Sequence, residues 1–118
     1  MEFTKKQVRP GVVILALTGS IRIGPNCQQI ELATDEIIRQ GNTWVVFDMA
    51  GVTYVDSAGI GTVVRSLIKL KKLGGTLRLA AVTAMVAGVL NLTQIDRTIQ
   101  IFPTAEEAAK DLPLAAKT

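Results

Sequence analysis

The chain has 118 residues, 48% of them hydrophobic, and a formal net charge of +3. That length suits one domain with a single core and is too short for two ordinary domains. It has no histidine and one cysteine, Cys27, which excludes Ser-His-Asp triads, Cys-His dyads, histidine metal sites and an internal disulfide.

Glu2 to Val8 is predicted as a short edge strand, followed by a turn at Arg9-Pro10-Gly11, where Pro and Gly supply the dihedrals a turn needs. Val12 to Leu17 is a continuous apolar run, the pattern of a strand buried on both faces. Thr18 to Asn26 reads as a loop. From Gln28 to Arg39, residues Ile30, Leu32, Ala33, Ile37 and Ile38 recur at helical spacing, and Gly41 marks the stop. Trp44 to Phe47 is the second core strand, ending at Asp48. After the Asp56–Gly61 loop, Ile60, Val63, Val64, Leu67, Ile68 and Leu70 carry a helical period to Leu73, where Gly74-Gly75 ends the helix. Thr76 to Val82 is the third core strand. Thr83 starts a helix through Leu92, with Met85, Val89 and Leu92 expected to face the core. Ile99 to Phe102 is the last strand. Thr104 and Glu107 have the spacing of a capping box, which launches a final helix to about Leu112. Pro113 to Thr118 is expected to fray.

The predicted order is ββαβαβαβα in a single α/β domain, residues 1–118. Strands alternating with helices imply parallel pairing and right-handed crossovers. The tight turn between the first two strands implies that they pair antiparallel. The result is a mixed, mostly parallel sheet.

The run Asp56-Ser57-Ala58-Gly59-Ile60-Gly61 presents a serine hydroxyl at a helix N-terminus. Free N–H groups and the positive end of the helix dipole favour an anion there. Two readings stand side by side. Asp and Ser both cap helices, because their oxygens accept from the free N–H groups. A serine at such a place is also a candidate switch, since a phosphate would add ~1.5–2 negative charges. Gly59 and Gly61 weigh toward the second reading. Each costs about 1 kcal/mol in a helix relative to Ala, which close approach of a partner backbone would offset.

Asp48 invites comparison with the phospho-acceptor aspartate of response-regulator receivers. A receiver needs an acidic pair after its first core strand, where this chain has Thr18-Gly19-Ser20, and a later lysine, where it has Ala80-Ala81-Val82. No glycine-rich phosphate loop with a lysine is present. Arg65, Lys69 and Lys72 form one stripe of the helix after Ser57. Lys72 complements the helix C-terminus, and Arg65, nearer the serine, is a candidate contact for an acidic partner.

Basic residues are spread along the chain and aromatics are few, unlike the concentrated basic and aromatic face of a nucleic-acid binder. Met1-Glu2-Phe3-Thr4-Lys5-Lys6 lacks the apolar core of a signal peptide, and the apolar runs are strand-sized. These features point to a cytoplasmic protein that neither binds nucleic acid nor inserts into a membrane.

The run from Val45 to Gly61, with its Asp-Ser-Ala-Gly-Ile-Gly core, resembles the STAS domain, the sulphate transporter and anti-sigma factor antagonist family. The resemblance extends through Leu17-Thr18-Gly19, Gly74-Gly75-Thr76-Leu77, Val89-Leu90-Asn91-Leu92-Thr93, Ile99-Gln100-Ile101-Phe102 and Glu106-Glu107-Ala108. It implies the STAS fold and no cofactor, catalytic residue or metal. It further implies an anti-sigma factor antagonist that binds an anti-sigma factor/serine kinase of GHKL type, which supplies ATP, and is released on phosphorylation. The matching serine is Ser57, supported by Asp56, Ala58 and Gly59. Ser20, Arg22, Ile60, Gly61 and Arg65 would meet the partner, and a homodimer is left open.

Two positions depart from the family pattern. Gly19-Ser20-Ile21-Arg22 stands where many antagonists carry Gly-Glu-Leu-Asp, so both acids are missing. Gln94 replaces a frequent helix-ending glycine, so this corner is expected to be built differently. The same resemblance also covers modules that do not switch, such as a stressosome-type scaffold or a soluble subunit of a lipid or anion transport system. The acid-free Gly19–Arg22 stretch favours that alternative; the intact Asp56-Ser57 pair favours the antagonist.

Overall fold

The computed structural model describes residues 1–114. Five strands and four α-helices follow one another as β1 (Glu2–Arg9), β2 (Val12–Ile21), α1 (Pro25–Arg39), β3 (Trp44–Val55), α2 (Ser57–Lys72), β4 (Thr76–Ala80), α3 (Ala84–Leu92), β5 (Ile101–Phe102) and α4 (Ala105–Ala109). A 3-10 turn, Ile95–Arg97, separates α3 from β5. The sheet order is β1-β2-β3-β4-β5, with β1 antiparallel to β2 and the other pairs parallel. The expected ββαβαβαβα order and mixed sheet are therefore what the chain adopts.

Side chains alternate across a strand, so neighbouring residues enter different cores. Val13, Leu15 and Leu17 of β2 join Val45, Phe47 and Met49 of β3 under α1, α2 and α3. Val12, Ile14 and Val46 lie on the other face, under Ala105, Ala108 and Ala109 of α4. Burial on both faces explains why β2 reads as unbroken apolar sequence. Arg78 of β4 is only 3% exposed and reaches α4. It donates to the Ala108 carbonyl and pairs with Asp111, while stacking on Phe102, so its charge is satisfied where it is buried.

Several boundaries differ from the sequence expectation. β2 continues through Thr18–Ile21, expected as loop, and α1 begins at Pro25 rather than Gln28. β3 runs seven residues beyond Asp48, to Val55. Asp48 therefore lies inside a strand. The pairing slips after Ala16↔Asp48 to Thr18↔Gly51, a bulge, and Asp48 Oδ1 accepts the Ala50 N–H that the bulge frees. Gly51 fits this slip because a Cβ there would lie 2.8 Å from Thr18 Oγ1. β4 stops at Ala80, β5 starts at Ile101 and α4 ends at Ala109, each shorter than expected. Ala115–Thr118, most of the tail expected to fray, lies outside the described residues.

The stripe assigned to the core on α3 is corrected at both ends. Met85 and Leu92 are 55% and 84% exposed, Val89 packs half-buried against the core as expected, and the helix buries Val86 and Leu90. At the α3 corner, Gln94 itself takes the left-handed conformation, φ 61° and ψ 18°, at a cost of about 1–2 kcal/mol for a residue other than glycine.

Candidate functional site

The extended β3 delivers its last residue directly into α2. One residue, Asp56, joins strand to helix. The parallel register carries Ser20 opposite Tyr54 and Ile21 opposite Val55, and the Asp56 N–H donates to the Ile21 carbonyl at 3.1 Å. The end of β2 is thereby held alongside the start of α2.

Asp56 is the N-cap of α2, in extended conformation. Its Oδ1 accepts the Gly59 N–H at 2.8 Å, and its Oδ2 accepts the Ile23 N–H at 3.0 Å. One carboxylate thus caps the helix and ties down the β2–α1 loop. Acceptance from Ile23 and then from Gly59 holds its carboxyl below the usual range, with a further contribution from the Arg22 charge. Capping falls to Asp56, so Ser57, the first residue of α2, is left with an exposed side chain. Ala58 is half-buried beside it and packs against the core.

Gly59 is required by the fold itself. A Cβ there would sit 2.3 Å from the Ile21 carbonyl oxygen and 2.9 Å from Val55 Cγ1. The close approach expected from a partner backbone is made by the chain's own β2. Gly61 is different: a Cβ would meet only the flexible Arg65 guanidinium at 3.2 Å.

The residues expected to meet a partner divide. Ile60 is 7% exposed and belongs to the core, so it is corrected to a packing residue. Arg65 pairs with Glu31 of α1 at 2.8 Å and donates to Thr62 Oγ1, while its side chain stays exposed. Ser20 and Arg22 lie beside Asp56, in a segment that is firmly laced. Asn26 Nδ2 donates to the Ser20 carbonyl and Cys27 Sγ to the Arg22 carbonyl. The Arg22 guanidinium lies 4.8 Å from the centroid of the Tyr54 ring.

Two residues here were not singled out by sequence reasoning. Ile23 is 79% exposed, and Tyr54 is the exposed aromatic under Arg22. Pro25 carried a signal for the first, since Pro favours the first helical position and leaves Ile23 outside the helix. Tyr54 carried none: alternation from buried Val52 would turn it inward, and the register shift between Gly19 and Ser20 opposite this stretch breaks that alternation.

The arrangement is a surface. The clefts lined by Trp44, Lys71 and Gly75, and by Lys6, Val8 and Glu106, lie away from Ser57. Among the described residues, no group of three acidic or cysteine side chains gathers to hold a metal ion, and no helix is long and apolar enough to cross a membrane. What the site offers chemically is an exposed hydroxyl on a rigid strand–helix junction.

Residues 4–108 match the STAS domain family. The chain belongs to it. A protein of Thermotoga maritima, provisionally named an anti-sigma factor antagonist, is 30% identical over 78 residues, covering 66% of this chain and 69% of the relative. The crystal structure of a Thermotoga maritima protein with the same provisional name is 25% identical with a TM-score of 0.78, covering 93% of each chain. The Bacillus cell fate determinant SpoIIAA, solved in its phosphorylated form, shares the fold at 21% identity and a TM-score of 0.73, over 94% of this chain and 99% of that one. The STAS fold expected from the Val45–Gly61 run is thus the fold of this chain.

Proposed function

We propose that this STAS domain is an anti-sigma factor antagonist that acts by partner switching. Unmodified, it binds an anti-sigma factor that is also a serine kinase of GHKL type, and phosphorylation of Ser57 releases it. The observation that carries the reading is the division of labour at the junction. Asp56 takes the capping role and engages both carboxylate oxygens with backbone N–H groups, leaving the Ser57 side chain exposed. The names of the Thermotoga relatives support the same reading.

In the reaction, Ser57 Oγ attacks the γ-phosphorus of ATP held by the kinase. The bond from that phosphorus to the β,γ-bridging oxygen breaks, ADP leaves, and the hydroxyl proton passes to a base of the kinase. This chain supplies the acceptor and no nucleotide site. Because the phosphate would stand at the first residue of a helix, it is electrostatically tolerated and the fold persists. Its effect falls on the surface formed by Ser20, Arg22, Ile23 and Gly61 around Ser57. A regulator of this kind works in the cytoplasm.

The test is mass spectrometry after incubation with the cognate kinase and ATP. Wild type should gain one phosphate on Ser57 and Ser57→Ala none. Modification elsewhere, with Ser57 untouched, would turn the balance to a non-switching scaffold or transport-subunit role, the reading that the carboxylate-free Gly19–Arg22 segment favours.

A further inference from the structure

Arg22 stands near the Ser57 junction, close enough for its charge to act on the Asp56 carboxylate but in no ion pair with it. The register that pairs Ser20 with Tyr54 and Ile21 with Val55 brings Arg22 level with Asp56, next to Ser57. The bonds from Asp56 N–H to the Ile21 carbonyl and from Ile23 N–H to Asp56 Oδ2 fix the backbone on both sides of it. The ion pairs of the described residues join Arg39 to Glu36, Arg65 to Glu31, Lys69 to Asp35 and Arg78 to Asp111. Arg22 is in none of them. Its guanidinium rests instead over the Tyr54 ring, 4.8 Å from the centroid. An exposed cation–π contact is weak, whereas a planar guanidinium facing a phosphate makes two parallel charge-assisted hydrogen bonds.

We propose that Arg22 is the counter-charge for a phosphate on Ser57: on modification its guanidinium leaves the Tyr54 ring and takes two phosphate oxygens. This rests on the reading of Ser57 as the modified residue and adds how the modification is read out. The phosphate places negative charge on the docking surface, and it also withdraws the cation which that surface displayed. An acidic partner loses an attraction and gains a repulsion in one step.

The charged groups around Ser57 define the expected balance. The Asp56 carboxylate disfavours the phosphate dianion and Arg22 favours it, while Glu31 of α1 and Arg65 of α2 neutralise each other. The test uses phosphoserine installed at position 57 during translation, in the wild-type chain and in Arg22→Gln. Phosphorus NMR titration should show the wild-type phosphate binding its last proton roughly two- to fivefold more weakly than the phosphate of Arg22→Gln, the range of an exposed ion pair. The Arg22 side-chain Nε–H resonance should shift between unmodified and phosphorylated wild type. Circular dichroism checks that both proteins are folded. Equal proton binding in the two proteins, or an unmoved Arg22 resonance, overturns the proposal. Because no kinase is used, that outcome is separate from whether a kinase modifies Ser57.

Discussion

Asp56 holds Ile23: its Oδ2 accepts the Ile23 N–H at 3.0 Å while its Oδ1 caps α2 through Gly59. A single carboxylate therefore fixes two segments 33 residues apart, the loop before α1 and the start of α2. This bond ties the two segments of the candidate surface to each other.

Acid should weaken that link, and the sign follows from the lowered carboxyl pKa of Asp56. The folded state binds the proton more weakly than the unfolded chain does. The stabilisation is complete above the unfolded value of about 3.9 and is lost as pH falls through the folded value. Hydrogen bonds from Arg39 and Arg78 lower Glu36 and Asp111 likewise, so wild type loses stability at several sites over the same range. Asp56→Asn isolates one of them. It should melt below wild type at pH 7, and the gap should narrow below about pH 4. Thermal unfolding at both pH values checks this; an unchanged gap would mean that the carboxylate charge does not contribute.

Gly59 and Gly88 should respond oppositely to alanine. At Gly59 the new Cβ would press on the Ile21 carbonyl 2.3 Å away, an overpacking expected to cost about 1–3 kcal/mol. At Gly88, on the exposed side of α3, a Cβ meets nothing within 4 Å. Removing a helix-interior glycine there should add about 0.5–1 kcal/mol. Urea denaturation of the two variants measures both signs.

The face that α3 turns inward can be checked the same way. Leu92→Ser should change stability by no more than about 0.5 kcal/mol, as for an exposed site. Leu90→Ala should cost about 2–5 kcal/mol, as for a core site. A large loss from Leu92→Ser would restore the face expected from the sequence.

The α3 error has a physical cause. Nearly every residue of AMVAGVLNL is apolar, so Met85/Val89/Leu92 and Val86/Leu90 are equally good stripes and periodicity cannot choose between them. The ends of β2 and β3 were hidden for another reason. Two irregularities in their pairing, after Ala16 and after Gly19, break the alternation that marks a strand. The serine junction was legible in kind because its signals are local, a cap residue, then Ser57, then a helical period, but the expected Asp56–Gly61 loop is the cap and first turn of α2, which starts at Ser57 rather than Ile60. The close packing of Gly59, the burial of Ile60 and the ion pair of Arg65 were not legible, because each is set by something distant in sequence, the Ile21 carbonyl, the shared core and Glu31. Gln94 shows the converse, a strained conformation retained where residue type argued against it.

The most direct measurement is calorimetry of the cognate anti-sigma factor against three forms of this chain: wild type, Ser57→Ala, and wild type carrying phosphoserine at position 57. Wild type and Ser57→Ala should bind alike. The phosphorylated form should bind at least about tenfold more weakly, a loss of ~1.4 kcal/mol or more. Equal affinity of the phosphorylated and unmodified forms would contradict the account.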